Sequence, residues 1–280
     1  MKHAVKYIIG GSMVLVGIIM VMVACTLGGW QMLREWPGIS FSGFGIFYKT
    51  VNYASTVESE NVMNIKKLEI DVTCAEFTLT SDDVEEIDIK AENAKEHCFS
   101  YDINGDTLKI KYDLGFTFLC FNWSSARINV VIPENIKFES VIIKNGVGEM
   151  RITGLETEYL QIDSGAGAAA FSNIKADRMD VSTGVGEVKI TDTITNNIKL
   201  DSGVGKMTYE GEIHGDVDID SGVGEVVIDI KGDKDDYRFN VDKGIGDVIL
   251  NGSSCSGNFG NGKYSVKIDS GVGAVRITID

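Results

Sequence analysis

Proline is nearly absent from this chain, with 2 residues in 280, whereas glycine occurs 32 times. This composition excludes Pro-rich linkers and favours many tight turns. Histidine is also scarce, and no serine or cysteine motif accompanies His3, His97 or His214, so neither a catalytic triad nor a zinc site is indicated. Basic residues number 26 against 41 acidic ones, and the net charge of −15 argues against nucleic acid, whose phosphates need a basic face.

One long uncharged run stands apart from the rest. Residues 7–27, YIIGGSMVLVGIIMVMVACTL, would form a helix about 31 Å long, close to the thickness of a bilayer's hydrocarbon core. Two lysines precede this run, and Trp30 and Trp36 follow it. We therefore predict a cytoplasmic tail over 1–6, a transmembrane helix over 7–29 and an extracytoplasmic remainder. The alternative is a lipoprotein anchored at Cys25, because Val23-Ala24-Cys25 loosely resembles a lipobox.

The predicted extracytoplasmic part is acidic and rich in strand signals. Residues 37–280 hold 23 basic and 40 acidic groups, a net charge of −17, which repels anionic lipid headgroups and attracts cations. Residues 30–61 show no clean period and are interpreted as a juxtamembrane stalk. From Val62 onwards, runs such as LEIDV and TLKIKY alternate with period 2, so 62–140 is predicted to be β-rich.

An internal repeat occupies residues 141–280. Successive Gly-x-Gly motifs are separated by 19, 19, 19, 19, 22 and 27 residues. A fixed period of this length is typical of solenoids. The predicted turn glycines are Gly146 and Gly148, Gly165 and Gly167, Gly184 and Gly186, Gly203 and Gly205, Gly222 and Gly224, Gly244 and Gly246, and Gly271 and Gly273.

Each repeat predicts one coil of a parallel β-solenoid. In residues 198–216, IKLDSGVGKMTYEGEIHGD, a strand, a Gly-x-Gly corner, a second strand and a polar return loop follow one another. Six apolar side chains, Val204 among them, are predicted to face inward and to form a core only when coils stack. The fold class predicted is therefore an all-β parallel solenoid with about 19-residue coils, preceded by one transmembrane helix. The last repeat is taken as an uncovered terminal coil, which predicts end-to-end homo-oligomers.

The Gly-x-Gly motifs do not indicate a nucleotide site. A dinucleotide fingerprint needs a third glycine and a following helix, but Gly224 is followed by the strand-like residues EVVI. The glycines are better explained by a corner that requires positive φ or close packing of backbones.

The DSGVGEV units, preceded by LEIDVTCAEFTL and INVVIPENIKFESVIIKNG, resemble the "putative adhesin" β-strand-repeat domain of unknown function, the LiaG-like group of bacterial membrane-anchored proteins. The resemblance covers about residues 62–280. It implies that the β-rich segment before the repeats joins the same solenoid, and that Val72-Thr73-Cys74-Ala75-Glu76-Phe77 is a degenerate early corner that lacks the glycines. It carries over no catalytic residues.

An aspartate column is the first candidate for chemistry. The column is the position two residues before the first glycine of each Gly-x-Gly motif. It is occupied by Asp163, Asp201, Asp220, Asp242 and Asp269, with Lys144 and Ser182 in the remaining copies. Turn-forming or solvated carboxylates are the main interpretation. Asp201, Asp220, Asp242 and Asp269 are also weak calcium candidates, although no nine-residue calcium repeat is present. No metal or cofactor is otherwise predicted.

A second acidic column follows the second glycine and contains Glu149, Glu187, Glu225 and Asp247, with Lys206 in the same position. Paired carboxylates perform glycoside hydrolysis, so a carbohydrate-active lyase or hydrolase is an alternative. These acids are the repeat itself, however, whereas a catalytic site is usually a local exception. The sequence therefore favours a protein without enzymatic activity.

Cysteines and aromatic residues give two smaller predictions. Cys74 is interpreted as a small core residue, and a disulfide between Cys98 and Cys120 is chemically feasible outside the cytoplasm, with Cys255 also exported. An aromatic cluster in LGFTFLCFNWSS is interpreted as a cap over one end of the solenoid or as an exposed ligand platform; its members are Phe116, Phe118, Phe121 and Trp123.

The sequence thus favours a membrane-anchored cell-surface interaction or structural module, adhesin-like or associated with the envelope. The partner would be an unidentified protein or a cell-wall glycan, and nucleic acid is not expected. Besides the carbohydrate-active enzyme, a regulatory membrane protein that acts with a membrane partner remains open.

Overall fold

The computed structural model describes residues 50–114 and 126–280, and residues 49–280 form one compact unit. The predicted tail, the membrane segment, Cys25 and residues 30–49 of the predicted stalk lie outside the described residues. In the described part of the chain, no helix is long and apolar enough to cross a bilayer.

The described residues are almost entirely β-strand. A four-residue helix, α1 (Ser59–Val62), and a 3-10 turn at Lys234–Asp236 are the exceptions among them. The strands are β1 (Thr50–Val57), β2 (Lys67–Cys74), β3 (Glu76–Asp82), β4 (Ile87–Lys95), β5 (Phe99–Asn104), β6 (Thr107–Tyr112), β7 (Arg127–Pro133), β8 (Lys137–Val147), β9 (Met150–Ile213), β10 (Val217–Ile230), β11 (Tyr237–Leu250), β12 (Ser253–Ser254), β13 (Gly257–Phe259) and β14 (Tyr264–Ile279). Strand β1 lies within the segment that the sequence assigned to the stalk.

Parallel pairing in register builds the repeat region. Strand β9 is extended over 64 residues and therefore passes through more than three 19-residue coils without a break. Equivalent residues of neighbouring repeats face each other, as Gly224 faces Gly205 and Ile219 faces Leu200. The all-β, solenoid-like architecture predicted from the period is confirmed.

The order of the coils differs from the order of the repeats. Strand β10 pairs with β9 on one edge and with β14 on the other, and β14 in turn pairs with β11. The last repeat therefore lies between the fifth and the sixth, and β11 is the outermost coil. The long connections allow this order. Residues 231–236 carry the chain from β10 past one coil position to β11, and residues 251–263 carry it back to the position between β10 and β11, which β14 occupies.

The prediction that the last repeat is an uncovered terminal coil is wrong. Strand β14 is paired on both edges, while β11 forms the end of the stack. Two short antiparallel strands partly cover β11: β12 pairs with Ile249 and Leu250, and β13 pairs with Phe239–Val241. The Phe239 and Phe259 rings stack at this cover, with centroids 4.9 Å apart.

The segment before the repeats joins the same stack. Strand β2 pairs in parallel with β8, and β3 pairs in parallel with β9, so residues 73–75 form the corner of an early coil. Beyond this coil the pairing becomes mixed, because β4 pairs antiparallel with β1 and β7, and β5 pairs antiparallel with β6.

Alternating apolar residues fill the interior. In the coil that contains Leu200, Met207 and Tyr209, all three side chains are buried, as the period-2 alternation predicts. Val204 does not follow this prediction: it is 39% exposed. The turn between its two glycines interrupts the alternation, so an apolar residue at this position faces the solvent.

A second corner also recurs every 19 residues. Gly154, Asn173 and Asp192 have φ values of 71°, 53° and 52°. Glycine, asparagine and aspartate are the residues that tolerate this left-handed conformation best. These three residues are spaced 19 apart in the sequence, but the corner is hard to recognise there because the residue type changes from coil to coil.

Candidate functional site

The two glycines of each elbow are required for different reasons. Gly224 has φ +149°, and a Cβ there would overlap the carbonyl oxygen of Gly205 in the neighbouring coil. Gly222 does not have a positive φ, yet a Cβ would still meet the Gly203 carbonyl oxygen. The elbows therefore stack backbone on backbone, which leaves no space for side chains at the glycines.

The residue between the two glycines is exposed in five adjacent coils. Along the stack, the residues in register are Val204, Val223, Val272 and Ile245. Val185 lies one coil before Val204, because the glycines on either side of Val185 stack on those on either side of Val204. At about 4.8 Å per coil, the row is about 19 Å long. We call it the elbow ridge; the exposed fractions are 45% for Val185, 39% for Val204, 49% for Val223, 45% for Val272 and 75% for Ile245.

The coil order brings four aspartates onto consecutive coils. Asp201 is in register with Asp220, Asp220 with Asp269, and Asp269 with Asp242. Lys199 Nζ donates to Asp201 Oδ2 over 2.7 Å. In the described part of the chain, no lysine or arginine forms an ion pair with the other three. This aspartate ladder runs along one side of the elbow ridge.

Stacked carboxylates perturb one another. Burial raises the pKa of Asp220 above its ordinary value, and the neighbouring carboxylates of Asp269 and Asp201 raise it further. The ladder therefore concentrates negative charge that the protein itself only partly neutralises. No three His, Cys, Asp or Glu residues in 50–114 and 126–280 are grouped so as to hold a metal ion.

A groove of about 810 Å³ follows the same edge at the earlier coils. It spans six coils from Asp71 to Asp220 and includes the elbow residues of the coils between them. Its lining residues include Asp163, Ser182 and Asp201. Gln161 Nε2 donates to Asp163 Oδ2 over 2.9 Å, and Ser182 Oγ lies 3.5 Å from Asp201 Oδ2. Asn145, which also lines the groove, is 2% exposed, and its Oδ1 has no hydrogen-bond partner.

The acidic column after the second glycine is more neutralised. Glu149 pairs with Arg151, and Glu225 pairs with Lys206 and Arg276. Glu187 and Asp247 are exposed and take part in no ion pair among the described residues.

Of the predicted cysteine pair, Cys98 lies within the described residues and Cys120 lies outside them. Cys120 and the aromatic residues Phe116, Phe118, Phe121 and Trp123 lie outside the described residues, so the Cys98–Cys120 disulfide and the aromatic cap remain predictions. Cys74 is partly buried and in register with Val147, at the position of the ridge residue in its coil. Burial raises the pKa of the Cys74, Cys98 and Cys255 thiols, which makes them poor nucleophiles.

Sequence reasoning missed two columns of the elbow. The alternation predicts a buried Val204, and it assigns no role to the residue before each first glycine. The latter faces inward and forms a polar column inside the corner; Asn145, Ser164, Ser221 and Ser270 are its buried members. Small polar residues recur at this position in the sequence, which was the available signal.

These features define an all-β repeat protein whose most regular surface is the row of elbows. The chain belongs to the Toastrack DUF4097 family, which matches residues 65–277. This confirms the resemblance to the β-strand-repeat domain of unknown function. No curated protein matches the chain.

Three solved bacterial structures are similar to this chain over most of its length. A "putative adhesin" from Bacteroides fragilis is 12% identical with a TM-score of 0.43, covering 82% of this chain and 97% of its own. A "putative cell adhesion protein" from Clostridium sporogenes is 16% identical with a TM-score of 0.35, covering 83% and 100%. A "putative lipid binding protein" from Parabacteroides distasonis is 14% identical with a TM-score of 0.35, covering 83% and 98%.

Proposed function

We propose that this chain is a membrane-anchored, extracytoplasmic interaction module without catalytic activity, and that the elbow edge of its solenoid is the binding surface. The uncharged run at 7–27 supplies the anchor in this proposal. The described β unit supplies a rigid scaffold, because every coil is held by parallel pairing to its neighbours.

The elbow ridge is the observation that carries the proposal. Large apolar side chains exposed side by side on a soluble domain mark interaction sites. Five adjacent coils repeat this exposure at one position, and the flanking glycines leave the ridge side chains without cover on either side. The β-branched residues are also stiff, so little side-chain entropy is lost when a partner covers them.

The carbohydrate-active alternative receives less support from the geometry. Its acids would have to come from the two acidic columns, where Glu149 and Glu225 already pair with arginine or lysine. A catalytic carboxylate is usually set apart from its neighbours by its surroundings, whereas these positions repeat along the stack.

Binding to isolated envelope fractions tests the proposal. The full chain, labelled and reconstituted in nanodiscs of zwitterionic lipid, is mixed with cell wall and membrane fractions. We expect the V204T/V223T/V272T variant to lose at least tenfold in binding, because threonine keeps the β-branched shape and removes the apolar surface. The matched control is V84T/I103T/I194T, which alters three exposed apolar residues elsewhere.

Equal binding by the wild type and the ridge variant would show that the elbow edge is not the binding surface. Placement outside the cytoplasm is tested separately by protease treatment of intact cells. Degradation of the β unit only after lysis would contradict the extracytoplasmic assignment.

A further inference from the structure

The partner of the elbow ridge can be defined by shape and charge. We propose that the ridge and its acidic borders bind a basic amphipathic α-helix, with an apolar stripe facing the ridge and lysine or arginine on both sides of that stripe. This inference rests on the proposed function, since it names the class of partner for the same surface.

The spacing of the ridge suits a helix that lies along the stack. Its side chains recur about every 4.8 Å, and one turn of α-helix rises 5.4 Å. Over the four intervals between Val185 and Ile245 the mismatch sums to about 2.4 Å, less than half a turn. One apolar residue per turn can therefore enter the gap between successive ridge side chains. A helix of about 13 residues spans the whole row.

The glycines make room for such a partner. On each side of Val223 the adjacent backbone positions are Gly222 and Gly224, and the same holds for every coil of the ridge. Two strips without side chains therefore border the ridge. A helix about 10 Å wide can contact both strips while its apolar stripe covers the ridge.

The charge next to these strips selects the partner. On one side lie Asp220, Asp269 and Asp242 of the aspartate ladder. On the other side, Glu187 and Asp247 belong to a column in which Glu225 is neutralised by Lys206 and Arg276. Apart from Glu225, none of these carboxylates forms an ion pair with another described residue. Fixed negative charge beside an apolar row favours a partner with cations beside its own apolar stripe. The same carboxylates disfavour an anionic lipid surface.

A second copy of this chain fits the surface less well. Two elbow ridges laid face to face would bring aspartate ladders and acidic borders together. Like charges opposed across an interface are unfavourable. The observed complementarity therefore favours a cationic helix over self-association at this edge.

The test uses a synthetic peptide and the full chain in zwitterionic nanodiscs. The probe is a fluorescent 15-residue amphipathic helix with leucine in the apolar stripe and lysine on both borders. Its binding is measured by anisotropy, with empty nanodiscs measured in parallel to subtract partition into lipid. We expect binding at least tenfold tighter to wild-type protein than to empty nanodiscs, falling steeply between 50 and about 300 mM salt.

Two variants with matched controls separate the apolar and charged contributions. V204T/V223T/V272T should weaken peptide binding at least tenfold, whereas V84T/I103T/I194T should not. D220N/D269N/D242N should weaken it about fivefold and flatten the salt dependence, whereas D83N/E85Q/E86Q, which removes the same charge from an exposed loop, should leave it unchanged. A peptide with glutamate in place of lysine should not bind.

Unchanged peptide binding by the ridge variant would overturn this inference. Equal affinity for the glutamate peptide would also overturn it, because the borders would then not select charge. If envelope binding depends on the ridge but the lysine peptide does not bind, the proposed function stands and the partner class is wrong. Concentration-dependent dimers that the ridge variant abolishes would likewise replace the helix with a second copy.

Discussion

Asp220 faces Asp269 of the C-terminal repeat rather than Asp242 of the repeat that follows it in the chain. This register shows that the last repeat lies inside the stack. It also creates the aspartate ladder, since Asp242 continues the row from the other side of Asp269.

Cysteine cross-linking distinguishes this order from stacking in sequence order. In the structure Asp218 is in register with Lys267, and Lys267 with Asn240. Residues on adjacent coils lie within reach of a disulfide, whereas residues two coils apart, at about 9.6 Å, do not. We expect D218C/K267C to form the intramolecular disulfide under mild oxidation and D218C/N240C to remain reduced. Peptide mapping by mass spectrometry identifies the linked residues, and the opposite result would restore sequence order.

Alanine substitution at the elbows should separate overlap from backbone strain. G224A meets both a positive φ and the Gly205 carbonyl oxygen, so we expect a loss of about 3 kcal/mol or more in the free energy of unfolding. In G222A the new Cβ would overlap the Gly203 carbonyl oxygen, but φ at this position is not positive. G105A is the control for strain alone, because Gly105 has φ +63° but no atom near its Cβ position, and should cost about 1–2 kcal/mol. Urea unfolding measures all three, and a G224A cost no larger than that of G105A would contradict backbone stacking.

Removing the charge of Asp220 should stabilise the protein at neutral pH. Its raised pKa means that the folded state holds the proton more tightly than the unfolded chain, so ionisation of Asp220 destabilises the fold. D220N should therefore raise the melting temperature at pH 7 by about 2–4 °C, from roughly 1 kcal/mol of relieved repulsion.

The same gain should decline as the pH falls from the raised folded pKa of Asp220 towards the unfolded value of about 3.9, because the wild-type carboxyl then becomes neutral too. D83N controls for a change of one charge on an exposed loop. A gain that is constant from pH 7 to about pH 3.5 would show that charge is not its cause.

Substitutions at Leu200 and Val204 should have unequal effects although the residues are close in sequence. Leu200 is 1% exposed, so L200A should cost about 2–5 kcal/mol, while V204A on the elbow ridge should cost under about 1 kcal/mol. Thermal or urea unfolding measures both. Similar costs would place Val204 in the core.

The sequence predicted the features that repeat with the backbone. The 19-residue period implies parallel coils, and the alternation through Ile219, Val226 and Ile228 implies which face of each strand is buried. The early elbow at residues 73–75 could also be predicted from the sequence, because its strands resemble those of the repeats. Thr73 and Ala75 stand where the later coils have glycine, and their carbonyl oxygens are the atoms that a Cβ at Gly146 or Gly148 of the next coil would meet.

The order of the coils was harder to obtain because the elbows are interchangeable. Any DSGVG unit can stack on another, so spacing alone does not distinguish neighbours. A signal existed in the sixth repeat, where Lys243 and Ile245 replace the serine and valine of the other late copies. A lysine is tolerated at this position of β11 because no further coil of the described residues stacks on it, and both Lys243 and Ile245 are exposed.

The elbow ridge escaped prediction for a geometrical reason. Alternation counted from Leu200 into the turn places Val204 on the buried side, but the corner at residues 203–205 interrupts the alternation and leaves Val204 exposed. The partner of the ridge depends on the charges of neighbouring coils, and these could be aligned only after the position of β14 was established.

The placement of β14 has a consequence for biosynthesis. Strand β11 makes no pairing with β10, so the native neighbour of the outermost coil, β14, is synthesised only after it. Stacking of the coils in the order of their synthesis would therefore give an arrangement different from the native one. The native stack is complete only when this late strand lies between β10 and β11.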